Sequence, residues 1–280
     1  MKMTCIIPTR DRRDMVLQAI RSVMGQEGEV SEVIVVDDGS LDGTTEAVRT
    51  RYPEVKLVST PGLGPGAARN RGVAESTEDV LMFLDSDDRW LPSHSDALMG
   101  LMREGYEVAY GVTQTTDSLG GDVFLVPDNG QGPSGFCFSA LVRWCFLVPS
   151  SVCMSRKAFH AAGGFGPGSL AEDWAFFLRL AAEFPFGFTP QVISRRLLHE
   201  GSLCCIRGEY GQILEALSRV MAVVETAGAS GPEDLAWVRS VRDLALTEGW
   251  KWRTVQEWYT SMKMRGMLES LLSLFPSTGG

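Results

Sequence analysis

Long apolar runs are missing from this chain. No stretch of its 280 residues approaches the roughly twenty consecutive apolar positions a membrane-spanning helix needs, although 44% of the residues are hydrophobic. Histidine is scarce, with three. The six cysteines (Cys5, Cys137, Cys145, Cys153, Cys204 and Cys205) show no C-x-x-C spacing, which argues against a zinc ribbon or a dithiol redox centre. Cys5 and Cys153 lie inside apolar, strand-like runs, so the set reads as reduced, mostly buried small hydrophobes. Basic residues are outnumbered, 26 against 35 acidic, for a net charge of −9 at pH 7. A nucleic-acid partner needs a basic face, and this balance excludes one as the main partner. A nucleotide is not excluded, since it needs only a metal and one or two local cations. There is no internal repeat and no low-complexity tract. The first strand starts within three residues of Met1, which leaves no room for a signal peptide and predicts a cytoplasmic location.

Among what is present, residues 78–92, EDVLMFLDSDDRWLP, carry the most information. Val80 to Leu84 are five apolar residues bounded by charge, the pattern of a strand buried on both faces. The run ends in Asp85-Ser86-Asp87-Asp88. Three carboxylates in four residues repel one another and gain nothing from packing. In open α/β sheets ligands sit at that carboxyl end, and hard oxygen donors there suit Mg²⁺ or Mn²⁺ brought with a phosphate-bearing substrate. The alternative is an acid that caps the next helix beside two solvated loop residues. The design recurs upstream, where Val33 to Val36 run into Asp37-Asp38-Gly39-Ser40. The opening TCIIPTRDRRD is a third apolar run that ends in Pro8 and a polar turn. Three strands delivering polar groups to one sheet edge describe a nucleotide site in a Rossmann-like half.

Taken together, CIIPTRDR, EVIVVDDGSLDGT, GLGPGAARNRGV, LMFLDSDDRWLP and LAEDWAFFLRLA resemble, in order and spacing, the family 2 glycosyltransferases. The resemblance spans residues 3 to about 200. It implies a GT-A fold and transfer of a sugar from a nucleoside diphosphate donor with a divalent metal, Mn²⁺ or Mg²⁺. The expected architecture is α/β, a Rossmann-like GT-A fold with a mostly parallel central sheet and a C-terminal helical appendage. Residues 1–205 would form the catalytic domain, with 1–113 as nucleotide half and 114–205 as acceptor half, and 206–280 would be the helical region.

The resemblance also implies roles. Asp87 would ligate the metal, and Asp85 would lie by the ribose or a metal-bound water, with Ser86 between them. Asp38 would accept the N3–H of uracil, an acceptor-only group meeting a donor, with UDP-sugars favoured. Pro8 and Thr9 would flank the base. Arg69 matches a basic position facing the nucleotide, the alternative being a surface arginine, and Arg10 and Arg12 are weaker candidates of that kind. Asp173 of the Glu172-Asp173 pair would take the acceptor proton, and inversion is the outcome that motif implies. The pair opens a helix, where the dipole is expected to lower carboxylate basicity. His199 matches loosely a histidine that completes the metal site. Asp88 reads as a helix cap, and His94 and His160 as helix-surface residues.

Other segments bear on partners. Residues 114–135 are rich in Gly, Pro and polar residues and predict a hairpin or mobile loop suited to acceptor binding. Helical patterns fill 208–226, 233–247 and 251–274. In the last, Met264, Met267, Leu268, Leu271, Leu272 and Phe275 form an apolar face beside Lys251, Arg253, Lys263 and Arg265. That face would pack on the catalytic domain or a homodimer mate, or lie at the inner face of the membrane near a lipid-linked acceptor. The acceptor itself, glycan, lipid-linked or peptide, is not named by these residues. The rival function is an NAD-dependent oxidoreductase using the Gly62–Ala67 turn as a dinucleotide fingerprint. Pro65 supplies no N–H to pyrophosphate, and the rival leaves the two other acidic strand ends unexplained. A non-catalytic sugar-nucleotide-binding module is a further alternative, against which the intact carboxylates count. A nucleotidyltransferase would show a Gly-rich basic signature near the N-terminus that is not there.

Overall fold

Alternate residues of the central strands enter different cores. Ile6, Ile34, Val36, Leu81 and Phe83 pack on one side of the sheet, and Cys5, Ile7, Val35, Met82 and Leu84 on the other. The period of two and burial on both faces are what the unbroken apolar runs require. The computed structural model describes residues 1–28, 30–117, 121–168, 171–199 and 210–248. The helical expectation for 251–274, with its apolar face, and Cys204 and Cys205 lie outside the described residues.

The parallel half of the sheet has the order β3-β2-β1-β4, formed by β1 (Met3–Thr9), β2 (Glu32–Asp37), β3 (Lys56–Ser59) and β4 (Val80–Phe83). Beyond β4 the order continues through β8 (Val152–Ser155), β6 (Val108–Thr116), β9 (Phe186–Leu197) and β5 (Arg89–Trp90). β8 runs antiparallel to both β4 and β6, β6 and β9 are parallel, and β5 is antiparallel to β9. β7 (Asp122–Val126) pairs antiparallel with β6, so the polar stretch after residue 113 is a hairpin. The fold is that of the expected α/β class.

Helices cover both faces. α1 (Arg13–Met24), α2 (Thr44–Arg51) and α4 (His94–Arg103) lie on one side, where Val16, Ala19, Ile20 and Val23 make the buried stripe of α1. On the other side are α3 (Pro65–Glu75), α5 (Phe138–Arg143), α6 (Arg156–Ala161), α7 (Glu172–Glu183), α8 (Tyr210–Thr226) and α9 (Pro232–Glu248). Ala68 and Val73 of α3, Trp174 and Phe177 of α7, Val220 of α8 and Trp237 of α9 share one core. Among the described residues no helix is long and apolar enough to cross a membrane.

Two polar readings change. His94 is not on a helix surface. It is fully buried, stacked on Trp90 with ring centroids 4.0 Å apart, and its Nδ1 lies 3.2 Å from the Ile193 carbonyl. Burial holds the imidazole neutral, its pKa pushed down to about 3. Asp88 caps no helix: α4 starts after Ser93, and Asp88 is buried against Ser150. Its side chain faces the core because the turn Asp85–Asp88 closes through a backbone bond from Asp88 N–H to the Asp85 carbonyl, 2.9 Å.

Candidate active site

The site grows from the carboxyl ends of β1, β2 and β4, which parallel pairing brings to one edge. Thr9 pairs with Asp37 across β1 and β2, and the Asp38 N–H donates to the Thr9 carbonyl at 2.8 Å. Pro8 and Thr9 therefore lie beside the Asp37-Asp38 turn, and the buried Thr9 hydroxyl has no hydrogen-bond partner among the described residues. Asp37 fixes its own turn, accepting from Ser40 N–H at 2.9 Å and from the Thr45 hydroxyl.

Asp38 organises the Gly-rich turn. Its Oδ1 accepts from the Thr60 hydroxyl (2.5 Å), Gly62 N–H (3.1 Å) and Leu63 N–H (2.7 Å), and Oδ2 from Gly64 N–H (2.7 Å). Burial works to raise its pKa, but these four bonds outweigh it and hold the carboxyl below its ordinary value. The consequence bears on the dinucleotide reading. The turn amides that would have to face a pyrophosphate already converge on a protein carboxylate. Gly62 and Gly64 both have positive φ, the backbone this convergence needs. The exposed Arg10 lays its guanidinium against the α-carbon face of Gly62.

At the end of β4 the acidic turn splits in two directions. Asp87 Oδ2 is 3.0 Å from Arg12 Nη1 and 3.0 Å from His199 Nε2. The segment after β9 thus folds back over the turn and brings His199 to Asp87. The buried Ser86 hydroxyl lies 3.5 Å from Arg12 Nη1. Asp85 points the other way, to Arg69: Nη2 donates to Asp85 Oδ1 at 2.6 Å while Nη1 donates to Glu172 Oε1 at 3.0 Å. Arg69 is 4% exposed, which overturns the surface reading. Its guanidinium is engaged by two carboxylates, and they raise its pKa despite burial.

Glu172 and Asp173 open α7 behind Ala171, whose φ of +55° is a left-handed conformation strained for a residue with a Cβ. The helix terminus does not lower the basicity of the pair. Burial, and repulsion from Asp173, push Glu172 up to about 7 against the opposing pull of Arg69. Burial likewise raises Asp173, which accepts the Trp174 N–H at 2.7 Å. Desolvation outweighs the dipole because the first turn of α7 lies in the interior.

Two positions escaped the sequence reading. The Ser150 hydroxyl accepts from Asp85 N–H at 3.1 Å and donates to Asp88 Oδ2 at 2.5 Å, pinning both arms of the acidic turn. Asn70 brackets the Phe165 backbone, giving Nδ2–H to its carbonyl at 2.8 Å and accepting its N–H at 2.9 Å. As for a metal, Asp87 and His199 converge as a carboxylate and an imidazole, a donor pair that suits Mn²⁺ with the remaining positions filled by substrate phosphates. Asp85 Oδ1 is turned to Arg69, and among the described residues no three such side chains already form a cluster.

Comparison with known proteins bears on the family and the fold. The model of the family described as glycosyl transferase family 2 matches residues 4–142. A glycosyltransferase of Haemophilus influenzae is 37% identical over 178 residues, covering 62% of this chain and 69% of that protein. Other curated relatives are longer: the chain spans 23% of one and 52% of another, both described as glycosyltransferases. Staphylococcus aureus TarS 1-349, solved in complex with UDP-GlcNAc, superposes with a TM-score of 0.71 at 18% identity, over 96% of this chain and 80% of that one. The mannosyltransferase PcManGT from Pyrobaculum calidifontis, solved with GDP-Man and Mn²⁺, superposes with a TM-score of 0.58 at 17% identity, over 96% and 87%. At such identities the structural likeness shows the fold.

Proposed function

The chain belongs to glycosyl transferase family 2, and on that footing we propose that it is a metal-dependent enzyme moving a sugar from a nucleoside diphosphate, UDP first, to an acceptor hydroxyl with inversion. The observation that carries this reading is the meeting at one sheet edge of two carboxylate pairs with different surroundings. Asp85 and Asp87 are partly exposed in the turn after β4, and Glu172 and Asp173 start a helix in the interior.

In this reading Pro8, Thr9 and Asp38 receive the base. The Oδ2 of Asp38 accepts one described bond, which leaves room for the uracil N3–H. Arg10 and Arg12 supply local cations. Asp87 and His199 would hold the divalent metal, whose chemistry is to neutralise charge developing on the leaving diphosphate. Asp85 and Ser86 border the ribose side. Asp173 removes the acceptor proton, and a raised pKa makes it a better base than an exposed carboxylate. Arg69 and Glu172 hold it in place. The acceptor is a glycan or glycoconjugate hydroxyl, reached through the side bounded by the β6–β7 hairpin. Residues 1–205 act as the catalytic unit, with the C-terminal helices as an appendage that packs on it. A cytoplasmic location fits a sugar-nucleotide donor.

A thermal-shift panel of nucleoside diphosphates and sugar nucleotides, with and without Mn²⁺, tests this. A ligand at a hundred times its Kd adds about 2.7 kcal/mol, and each kcal/mol is about 2–4 °C for a chain of this size. A UDP-sugar with Mn²⁺ is expected to raise the melting temperature by about 5–10 °C. Stabilisation by NAD(H) alone, or by no nucleotide, would contradict the proposal.

A further inference from the structure

α3 is fastened to the chain entering α7 at three closely spaced points. Gly66 lies so near that a Cβ there would meet the Gly166 carbonyl at 2.9 Å and Glu172 Cγ at 3.1 Å. Arg69 bonds Asp85 with one Nη and Glu172 with the other, above the Phe165 ring with its Cζ 5.1 Å from the centroid. Asn70 holds both backbone groups of Phe165. The Arg69 Nε is buried with no partner among the described residues, so the two carboxylates supply its described hydrogen bonds.

We propose that Arg69 is a positioning residue that couples the two edges of the site: restraint of Asp85 by a bound donor restrains Glu172, and with it Asp173 at the start of α7. The inference rests on the donor reading above. A guanidinium is a planar, rigid fork, so its two Nη atoms cannot follow two carboxylates that move independently. Any change in the position of Asp85 must either break the 2.6 Å bond or be transmitted to Glu172. Asn70 then extends the restraint to Phe165, seven residues ahead of Glu172, so both ends of the entering loop are held by one helix. Ala171, the last residue before α7, has a φ of +55°, a conformation costly for a residue with a Cβ. A lysine at position 69 keeps the charge, but as a compact point charge on a flexible stem it serves one carboxylate at a time. Acceptor-side order would then no longer follow donor binding.

The test is amide hydrogen exchange on the full chain with Mn²⁺ plus UDP, comparing wild type with Arg69→Lys. In wild type, exchange should slow at residues 62–64 and 85–88, and also at 163–168 and 171–175. Arg69→Lys should keep the first protection and lose the second. In kinetics its kcat should fall by about 10²-fold, the scale of a small misplacement of reacting groups, with donor KM little changed. Wild type protected only at the donor edge would overturn the coupling, as would equal protection of 163–168 and 171–175 in the lysine variant. No protection anywhere in wild type would overturn the donor reading together with the inference. Should Arg69→Lys fail to fold, Glu172→Ala, which removes the acceptor of the Arg69 Nη1 bond, is expected to show the same selective loss. Its retention of full protection would contradict the coupling.

Discussion

Ser150 holds two arms of one turn through a single hydroxyl, and its own carbonyl accepts the Trp90 indole N–H at 2.9 Å. Asp88 is thereby kept in the interior, its carboxyl raised well above the ordinary range by burial and by repulsion from Asp87 and Asp85. The acidic turn thus presents one buried carboxyl, Asp88, and two partly exposed ones, Asp85 and Asp87. A comparable division holds for Glu172, bonded to Arg69, and Asp173, which is not. Asp173→Asn is therefore expected to leave donor binding near wild type while turnover falls by about 10²–10⁴-fold, the usual effect of removing a general base. Turnover and donor affinity measured together check this, and normal turnover in that variant would move the role to Glu172. Asp85 and Asp87 stand out in the sequence because carboxylates clustered at a strand end gain nothing from packing, whereas Glu172 and Asp173 stand out only through the resemblance, since acids are common in a first helical turn. Ser150 and Asn70 do not, since serine and asparagine are common loop and helix residues. Their partners lie 65 and 95 positions away in the chain, and nothing local marks them. His94 and Asp88 were misplaced for the same reason: a surface or cap reading counts neighbours in sequence, and burial is decided by distant ones.

At the scale of elements, α3 does most to shape the site, and glycine lets it do so. Gly66 faces the loop ahead of α7, and Gly72 faces the sheet, where a Cβ would press on the Ile6 side chain and stand 3.2 Å from Val36 Cγ2. Both approaches carry α3 close enough for Arg69 to reach across. Gly72→Ala is expected to destabilise the fold by about 1–3 kcal/mol, the cost of overpacking a filled core. Urea unfolding checks it, with a lower midpoint and an unchanged slope. An unchanged midpoint would show that α3 is not seated as tightly as described. Of the elements, α1, β1, β2 and β4 could be read to within a residue or two, because each is a single unbroken stripe or run. β9 could be read only at its centre. Its Thr189-Pro190-Gln191 stretch is polar and largely exposed, and it pairs with β6 through two shifts of register. The two-residue β5 and the short α5 exist through long-range pairing and packing and have no period long enough to detect.

In the whole molecule the C-terminal helices extend one of the two cores. Leu217, Val220, Met221 and Val224 of α8, with Trp237, Val238 and Val241 of α9, join Trp174 and Phe177 of α7. Asp234 ties α9 to α5, 2.8 Å from Arg143 Nη1 and 2.8 Å from the Ser139 hydroxyl. The start of α7 is thus held by α3, and its body by α8. Across the sheet edge, carboxylates of a chain already at −9 are gathered close together, where Arg12 and His199 stand at Asp87. A diphosphate carrying further negative charge is not expected to bind there without a cation to offset the repulsion. Calorimetric titration of UDP into the wild-type chain and into Asp87→Asn, each with Mn²⁺ and with EDTA, tests this most directly. Wild type should bind UDP with Mn²⁺ and lose it in EDTA, and Asp87→Asn with Mn²⁺ should bind at least about tenfold more weakly, a difference of about 1.4 kcal/mol. Equal affinity in the variant, or in EDTA, would contradict the account.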